Sequence, residues 1–396
     1  LDPLHLFTAK IGLDSSSVIT GLYQDLESEW ETLLGEEKLE AVSIKAISQS
    51  FENTVYTRFS YVEVEKLELQ DARLNEVINT AISAILDDKG VFVGEDIKTR
   101  WAIDDVPYGG AFGVSMGLSE KYPEQVLSTP ISESGIIGMA TGFAMSSGRA
   151  SIAEIMFADF ASLIIDQVYN GIEKYLTMFG KDLKIPLVIR LPYGMGRGYG
   201  PTHSQSPWEL FQFLTKSQII SLSPFLNLQS FISQFTTLGL PIIIFEPKLF
   251  YGLNQMKIWK KYQHLISKVC DTNLDRKLYI ESKRAPRLNI IAHGSLVLEA
   301  LDAIEEFDTL DLIIVHNISK NNVSNIIFRN QNLPILVIEE ANNGFGPVAT
   351  SLRLNNNLDI HSSGENSGVI PANAGLEQNI MLNSRKIKSV ILELLE

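Results

Sequence analysis

The sequence predicts an α/β protein built on parallel sheets, and three observations carry that prediction. Apolar runs of strand length, such as LPIIIF, are nearly continuous rather than alternating, which is the pattern of strands buried on both faces. Amphipathic helical stretches separate them, giving the strand and helix order that parallel sheets need for their crossovers. The rhythm breaks between residues 251 and 285 and restarts afterwards, so the 396 residues divide into more than one unit.

The elements follow in order. Residues 1–62 are polar and charged with helical spacing (VITGLYQDLESEWETLL) and read as a helical arm. In DARLNEVINTAISAILDDKG the residues Leu74, Val77, Ile78, Ala81, Ile82 and Ile85 share one face, and Gly90 is a stop signal. VFVGED is a short buried strand. SIAEIMF, IPLVIRLP, SQIISLSP and LPIIIFEP are further strands, separated by the helical stretches DFASLIIDQVYNGIEKYLTMFG, SPWELFQFL and FLNLQSFISQFTTLG. These elements make a first domain over 63–250. Residues 251–285, basic and aromatic without a clear period, read as a linker. Residues 286–396 form a second, smaller α/β unit, with LNIIAHG, LDLIIVHN and PILVIEE as strands and SLVLEALDAIEEF and KIKSVILELLE among its helices.

Composition narrows the function. A formal net charge of −14 repels nucleic acid backbones. The single cysteine, Cys270, cannot form an intrachain disulfide and fits a reducing compartment. No apolar run spans a bilayer and no signal-like start precedes the arm, so a cytoplasmic or organelle-matrix setting is expected, without membrane partners. The histidines other than His203 show no paired short spacing and there is no cysteine pair, so no metal site is predicted.

Four motifs could carry chemistry. GVSMG matches the nucleophile-elbow pattern, but the preceding VPYGGAF is a glycine-rich loop rather than the buried strand that elbow needs. PYGMGRGYGPTHSQS is neither a Rossmann nor a Walker A sequence. It follows a buried strand, where parallel sheets build their sites, so His203 is either a surface loop residue or a catalytic one. Glu95 and Asp96 also end a strand, and capping competes with a role in a site. Glu133, in STPISESGIIGMATGFAMSSG, is the one carboxylate of an apolar stretch. It reads as a first-turn glutamate favoured by the helix dipole, or, since Ile136, Ile137, Met139 and Phe143 imply burial, as a carboxylate in want of a specific partner.

TPISESGIIGMATGFAM, EIMFADF, IDQVYNGIEKY, PLVIRLPYGMGRGYGPTHSQS and FEPKLFYG together resemble the β subunit of the thiamine-diphosphate-dependent decarboxylating component of 2-oxo acid dehydrogenase complexes. IIAHGS, VIEEANNGFG and VIPANAGLEQNIM are similar to that subunit's transketolase C-terminal domain. The resemblance runs from about residue 70 to the end, outside the linker. It implies a pyrimidine-type parallel-sheet domain that binds thiamine diphosphate, then a transketolase C-terminal domain. By family position Glu133 accepts a hydrogen bond from the cofactor's aminopyrimidine, Phe160 stacks on that ring, Ile131 and Glu95 line the pocket, and His203 faces substrate. The family's GDG motif for diphosphate and Mg²⁺ belongs to the α subunit and does not occur here, so an α-type partner in an α2β2-like assembly is implied. LDPLHLF and the helical arm resemble the α subunit's tail, so a fused α–β chain is a further expectation. The implied activity is oxidative decarboxylation of a 2-oxo acid with acyl transfer to a lipoyl group. The alternatives are a specialised acyl transferase or carboligase serving a carrier protein or aldehyde, and a non-catalytic scaffold.

Overall fold

The strand-length apolar runs form two sheets side by side in one compact unit, Phe59–Glu396. The computed structural model describes residues 60–62, 68–98, 109–178, 183–272, 275–342, 346–354, 358–365 and 369–396. The arm and the fused-tail segment expected over 1–62 lie outside the described residues, apart from β1 (Ser60–Val62).

The first sheet has six strands: β2 (Val91–Glu95), β3 (Val126–Thr129), β4 (Ser151–Glu154), β5 (Leu187–Tyr193), β6 (Gln218–Ser221) and β7 (Ile242–Pro247). All neighbours are parallel, in the order β3-β2-β4-β5-β7-β6. Their continuous apolar sequence is explained by two separate cores. On one face lie α1 (Leu74–Asp87), which buries the predicted stripe Leu74, Val77, Ile78, Ala81, Ile82 and Ile85, and α3 (Leu228–Leu238). On the other lie α2 (Glu133–Ser147) and the helical run from Ala158 to Met178. Asn227 caps α3 by accepting from the Ser230 amide, and Gly239 ends it at a φ of 73° that an L side chain rarely adopts.

The second sheet has the order β1-β8-β9-β11-β10-β12-β13. Its parallel part is β10 (Leu288–Ala292), β11 (Leu310–Val315), β12 (Ile335–Asn342) and β13 (Ile360–Glu365). The stretch read as a linker is ordered structure: α4 (Gln255–Tyr262) and the antiparallel hairpin β8 (Lys268–Thr272) and β9 (Asp275–Ile280), which extends this sheet. Its charges are held in pairs, Arg276 with Asp271 and Lys277 with Asp275, which is how a basic sequence enters a sheet.

Buried polar contacts join the sheets along β6. The Ser221 amide donates to the His316 carbonyl at 2.7 Å, and Ser221 Oγ meets His293 Nδ1 at 2.9 Å. His316 is fully buried, and burial pushes its imidazole down to about 4. Its neutral ring donates from Nδ1 to the Arg276 carbonyl and accepts at Nε2 from Ser223. These histidines belong to the fold rather than to a metal site. No helix among the described residues is long and apolar enough to cross a membrane.

Candidate active site

The order of the first sheet puts a topological switch between β2 and β4, because the chain leaves β2 for β3 on one side and then crosses to β4 on the other. Crevices at the carboxyl ends of strands at such a switch are where open parallel sheets take ligands. Glu95 ends β2, Glu133 opens the helix after β3, Phe160 lies in the turn after β4, and His203 lies in the loop after β5.

Glu133 is the first residue of α2. Ser132 caps the helix by accepting from the Gly135 amide at 3.3 Å, so the cap is the serine and the Glu133 carboxylate is left over. That carboxylate is buried and makes no hydrogen bond among the described residues. Glu95 is equally buried, and its Oε2 has no partner. Burial, followed by the charges of Glu133, Asp96 and Glu154, raises the Glu95 carboxyl. Opposite Glu95 in the β2–β3 register stands Thr129, whose Oγ1 is also buried without a partner. Two carboxylates in each other's field, with orphaned oxygens beside them, form a polar crevice that the protein itself does not satisfy.

Ile131, in the turn between β3 and α2, is 80% exposed. Of the residues expected to bury α2, Ile136 and Ile137 do so, while Met139 is 49% exposed and Phe143 half-buried. The opposite face of the helix presents Gly135, Gly138, Met139, Gly142 and Met145 outward, while Glu133 lies on the buried face with Ile136 and Ile137.

Phe160 and His203 are brought together. The His203 ring packs edge-on against Phe157 at 4.6 Å and Phe160 at 5.4 Å between ring centres. Its Nδ1 pairs with Thr202 Oγ1 at 2.8 Å, and its Nε2 has no hydrogen-bond partner among the described residues. The glycine-rich loop before it runs through four glycines at positive φ, Gly194, Gly196, Gly198 and Gly200. It is held by the C-terminal part of the chain: Met195 N donates to Glu340 Oε1 of β12 at 3.0 Å, and Gly198 N donates to Glu377 of the helix Ala374–Ile380.

Two features were not anticipated from the sequence. One is a buried charge ladder beneath the crevice. Arg190 of β5 is bound to Glu154 of β4 and, by two bonds of 2.8 and 2.7 Å, to Glu246 of β7, which also accepts from the Tyr251 hydroxyl at 2.8 Å. The other is Lys248, directly after β7, which is fully buried beside the His203 loop. A lysine in FEPK reads as a surface residue. The available signal was its place at the carboxyl end of a buried strand. The GVSMG serine, Ser115, is buried in a turn, and the described residues directly before it, 110–114, form bend and turn rather than the strand an elbow needs.

The transketolase pyrimidine-binding domain family matches residues 72–252, the span that holds the first sheet and the four expected site elements. This stretch is similar to a transketolase-type pyrimidine-binding domain. Over 182 residues the chain is 34% identical to the β subunit of the acetoin:2,6-dichlorophenolindophenol oxidoreductase of Cupriavidus necator, covering 46% of this chain and 53% of that one. Over 335 residues it is 28% identical to the pyruvate dehydrogenase E1 component subunit beta of Cyanidium caldarium, covering 82% of this chain and 98% of that one. The chain thus resembles β subunits of this group, while spanning about half the length of the acetoin relative. A solved split-gene transketolase, described as an inactive β4 tetramer, shares the fold with a TM-score of 0.57 at 16% identity, over 82% of this chain and 99% of that one.

Proposed function

We propose that this chain supplies the aminopyrimidine half of a thiamine diphosphate site in an enzyme that decarboxylates a 2-oxo acid and transfers the acyl group to a lipoyl group. The observation that carries the reading is Glu133, a buried carboxylate at a strand-end crevice with no partner of its own. A cofactor amine is the partner such an acceptor wants, since a charged acceptor in a dry site makes a strong, directional bond. The residues present fit the group: Glu133 and the orphaned Glu95 and Thr129 oxygens are polar contacts, Phe160 offers a ring, and Ile131 lines the entrance. Bound thiamine diphosphate would supply the carbon nucleophile and electron sink of decarboxylation.

Burial, and then the neighbouring charges of Glu133, Asp96 and Glu154, raise the Glu95 carboxyl above the usual carboxylate range. His203, with a free Nε2 and a ring steadied by two phenylalanines, faces the substrate and serves the later proton movements of acyl transfer.

The diphosphate and Mg²⁺ are assigned to an α-type partner, because no GDG motif occurs in the sequence. Exposed Ile131 just before Glu133, and the exposed Met139 and Met145 on the outer face of the same helix, support a second chain packing there, in an α2β2-like assembly or as the N-terminal half of a fused polypeptide. The name of the pyruvate relative supports a small 2-oxo acid as substrate, whereas the acetoin relative is named for an α-hydroxyketone.

The test is product analysis of the chain assembled with its α-type partner, supplied with 2-oxo acids and either lipoamide, an acyl-carrier protein or an aldehyde. Acylated dihydrolipoamide supports the reading. Acyloin or acylated carrier without lipoamide turnover would transfer it to the carboligase or acyl transferase class, and absence of CO2 release from every 2-oxo acid would refute it.

A further inference from the structure

The loop that carries His203 has four glycines at positive φ upstream, so its own backbone does little to fix the imidazole. Two side chains from other elements do so instead. Lys248, at the start of the turn after β7, donates from Nζ to the His203 carbonyl. The same ammonium lies 5.0 Å from the centre of the Phe157 ring and 5.4 Å from that of Tyr199. On the far side of Ser204, the Gln205 amide donates to Asp159 Oδ1 at 3.1 Å. The backbone is therefore gripped on both sides of one residue, while Phe157 and Phe160 hold the imidazole edge-on. Arg197 donates to the carbonyl of Lys248 at 2.8 Å, tying the glycine loop to the same turn.

A structural role alone does not call for lysine there. Burying an ammonium costs free energy that an apolar side chain of equal length would not incur, and burial pushes this amine down to about 8 against the pull of Asp159, Glu340 and Glu377. What a methionine could not do is donate to the His203 carbonyl and sit over two ring faces.

We infer that Lys248 and Asp159 form a clamp that positions the His203 imidazole, with Lys248 as the positioning residue. The inference rests on the substrate-facing role proposed for His203. The clamp acts through His203.

Two measurements test it. In the assembled complex, Lys248→Met and Asp159→Ala are each made alone and together with His203→Ala, and kcat and KM for the 2-oxo acid are compared. The clamp predicts that each single change lowers kcat by about tenfold or more with little change in KM, and that neither lowers it further once His203 is alanine. Lys248→Arg, which keeps donor and charge, restores part of the rate. Independent, additive losses would overturn the inference. In the full chain alone, amide hydrogen exchange over residues 199–206 is expected to rise by about tenfold in Lys248→Met, with β5 and β7 unchanged. Unchanged exchange in that loop overturns the clamp. If Lys248→Met does not fold, Asp159→Ala carries both measurements. Full turnover in His203→Ala would remove the role proposed for His203, whereas the exchange result decides the clamp separately.

Discussion

Arg190 offers the sharpest test of the electrostatics beneath the site. It is 2% exposed and is paired with two buried carboxylates, Glu154 and Glu246. Removing one partner of a buried ion pair costs about 3–5 kcal/mol, because the other charge is left uncompensated. Arg190→Met leaves two such charges, so a loss of about 4 kcal/mol or more is expected at pH 7.5 from the same principle. The loss should depend on pH. Burial already raises the Glu154 carboxyl and the Glu246 charge adds to it. Without the guanidinium, which pulls it down, the Glu154 carboxyl moves further above its unfolded value in the folded state. A folded state that binds protons more tightly than the unfolded state gains stability as pH falls through the raised pKa. Each pH unit in that window is worth about 1.4 kcal/mol per proton, so between pH 7.5 and 5.5 the variant should recover up to about 3 kcal/mol per carboxylate protonated. Urea unfolding at both pH values, followed by circular dichroism and tryptophan fluorescence, measures this. A loss under about 1 kcal/mol at pH 7.5, against the buried-pair range, or a loss independent of pH, would refute the reasoning.

Lys248 should show the opposite sign. Its folded pKa lies near 8, below the ordinary 10.5, so the unfolded chain holds the proton more tightly and stability rises with pH between those values. Relative to Lys248→Met, wild type should gain up to about 3 kcal/mol on crossing that window, which denaturation at stepped alkaline pH would read. Gly294 sits at a φ of 62°, where an added Cβ would meet Tyr193 Oη at 2.2 Å and Ser221 Oγ at 2.9 Å. Gly294→Ala should therefore destabilise the seam between the sheets by about 2 kcal/mol or more, and an unchanged melting temperature would contradict the packing described. Ser132→Ala should cost only about 0.5–1 kcal/mol as a lost cap. A larger loss in thermal melts would mean that Ser132 does more than end the helix.

Every strand expected from a continuous apolar run is a strand, because burial on both faces writes itself directly into composition. The run after β4 was only half legible. DFASLIIDQVYNGIEKYLTMFG has the periodicity of one helix, yet it forms a tight 3-10 turn over Ala158–Ile164, a wide π turn over Gln167–Glu173 and a short α turn. Its buried residues explain why. Ala158, Ala161 and Ile164 are spaced by three, and Ile164, Val168, Ile172 and Leu176 by four, so the average hides the change of winding. Glu173 adds a tertiary demand, since it accepts from the amides of Thr215, Lys216 and Ser217. The hairpin β8–β9 was missed because its charges are satisfied by partners, which a hydropathy pattern does not register. For the site, Glu95 and His203 follow the strands that precede them in sequence, as expected, and Glu133 and Phe160 follow β3 and β4. Lys248 and the Arg190 ladder escaped because a charged residue reads as exposed until its partners, distant in sequence, are brought to it.

The central claim is that Glu133 holds one end of a cofactor shared with a partner chain. Calorimetric titration of thiamine diphosphate with Mg²⁺ into this chain, alone and with its α-type partner, tests it most directly, with Glu133→Gln measured in the same complex. Binding only in the presence of the partner, with decarboxylation abolished in a folded Glu133→Gln complex, is the predicted result. No binding by the complex, or turnover intact in Glu133→Gln, would make Glu133 a helix-start carboxylate and leave this chain with the fold of its relatives but not their chemistry.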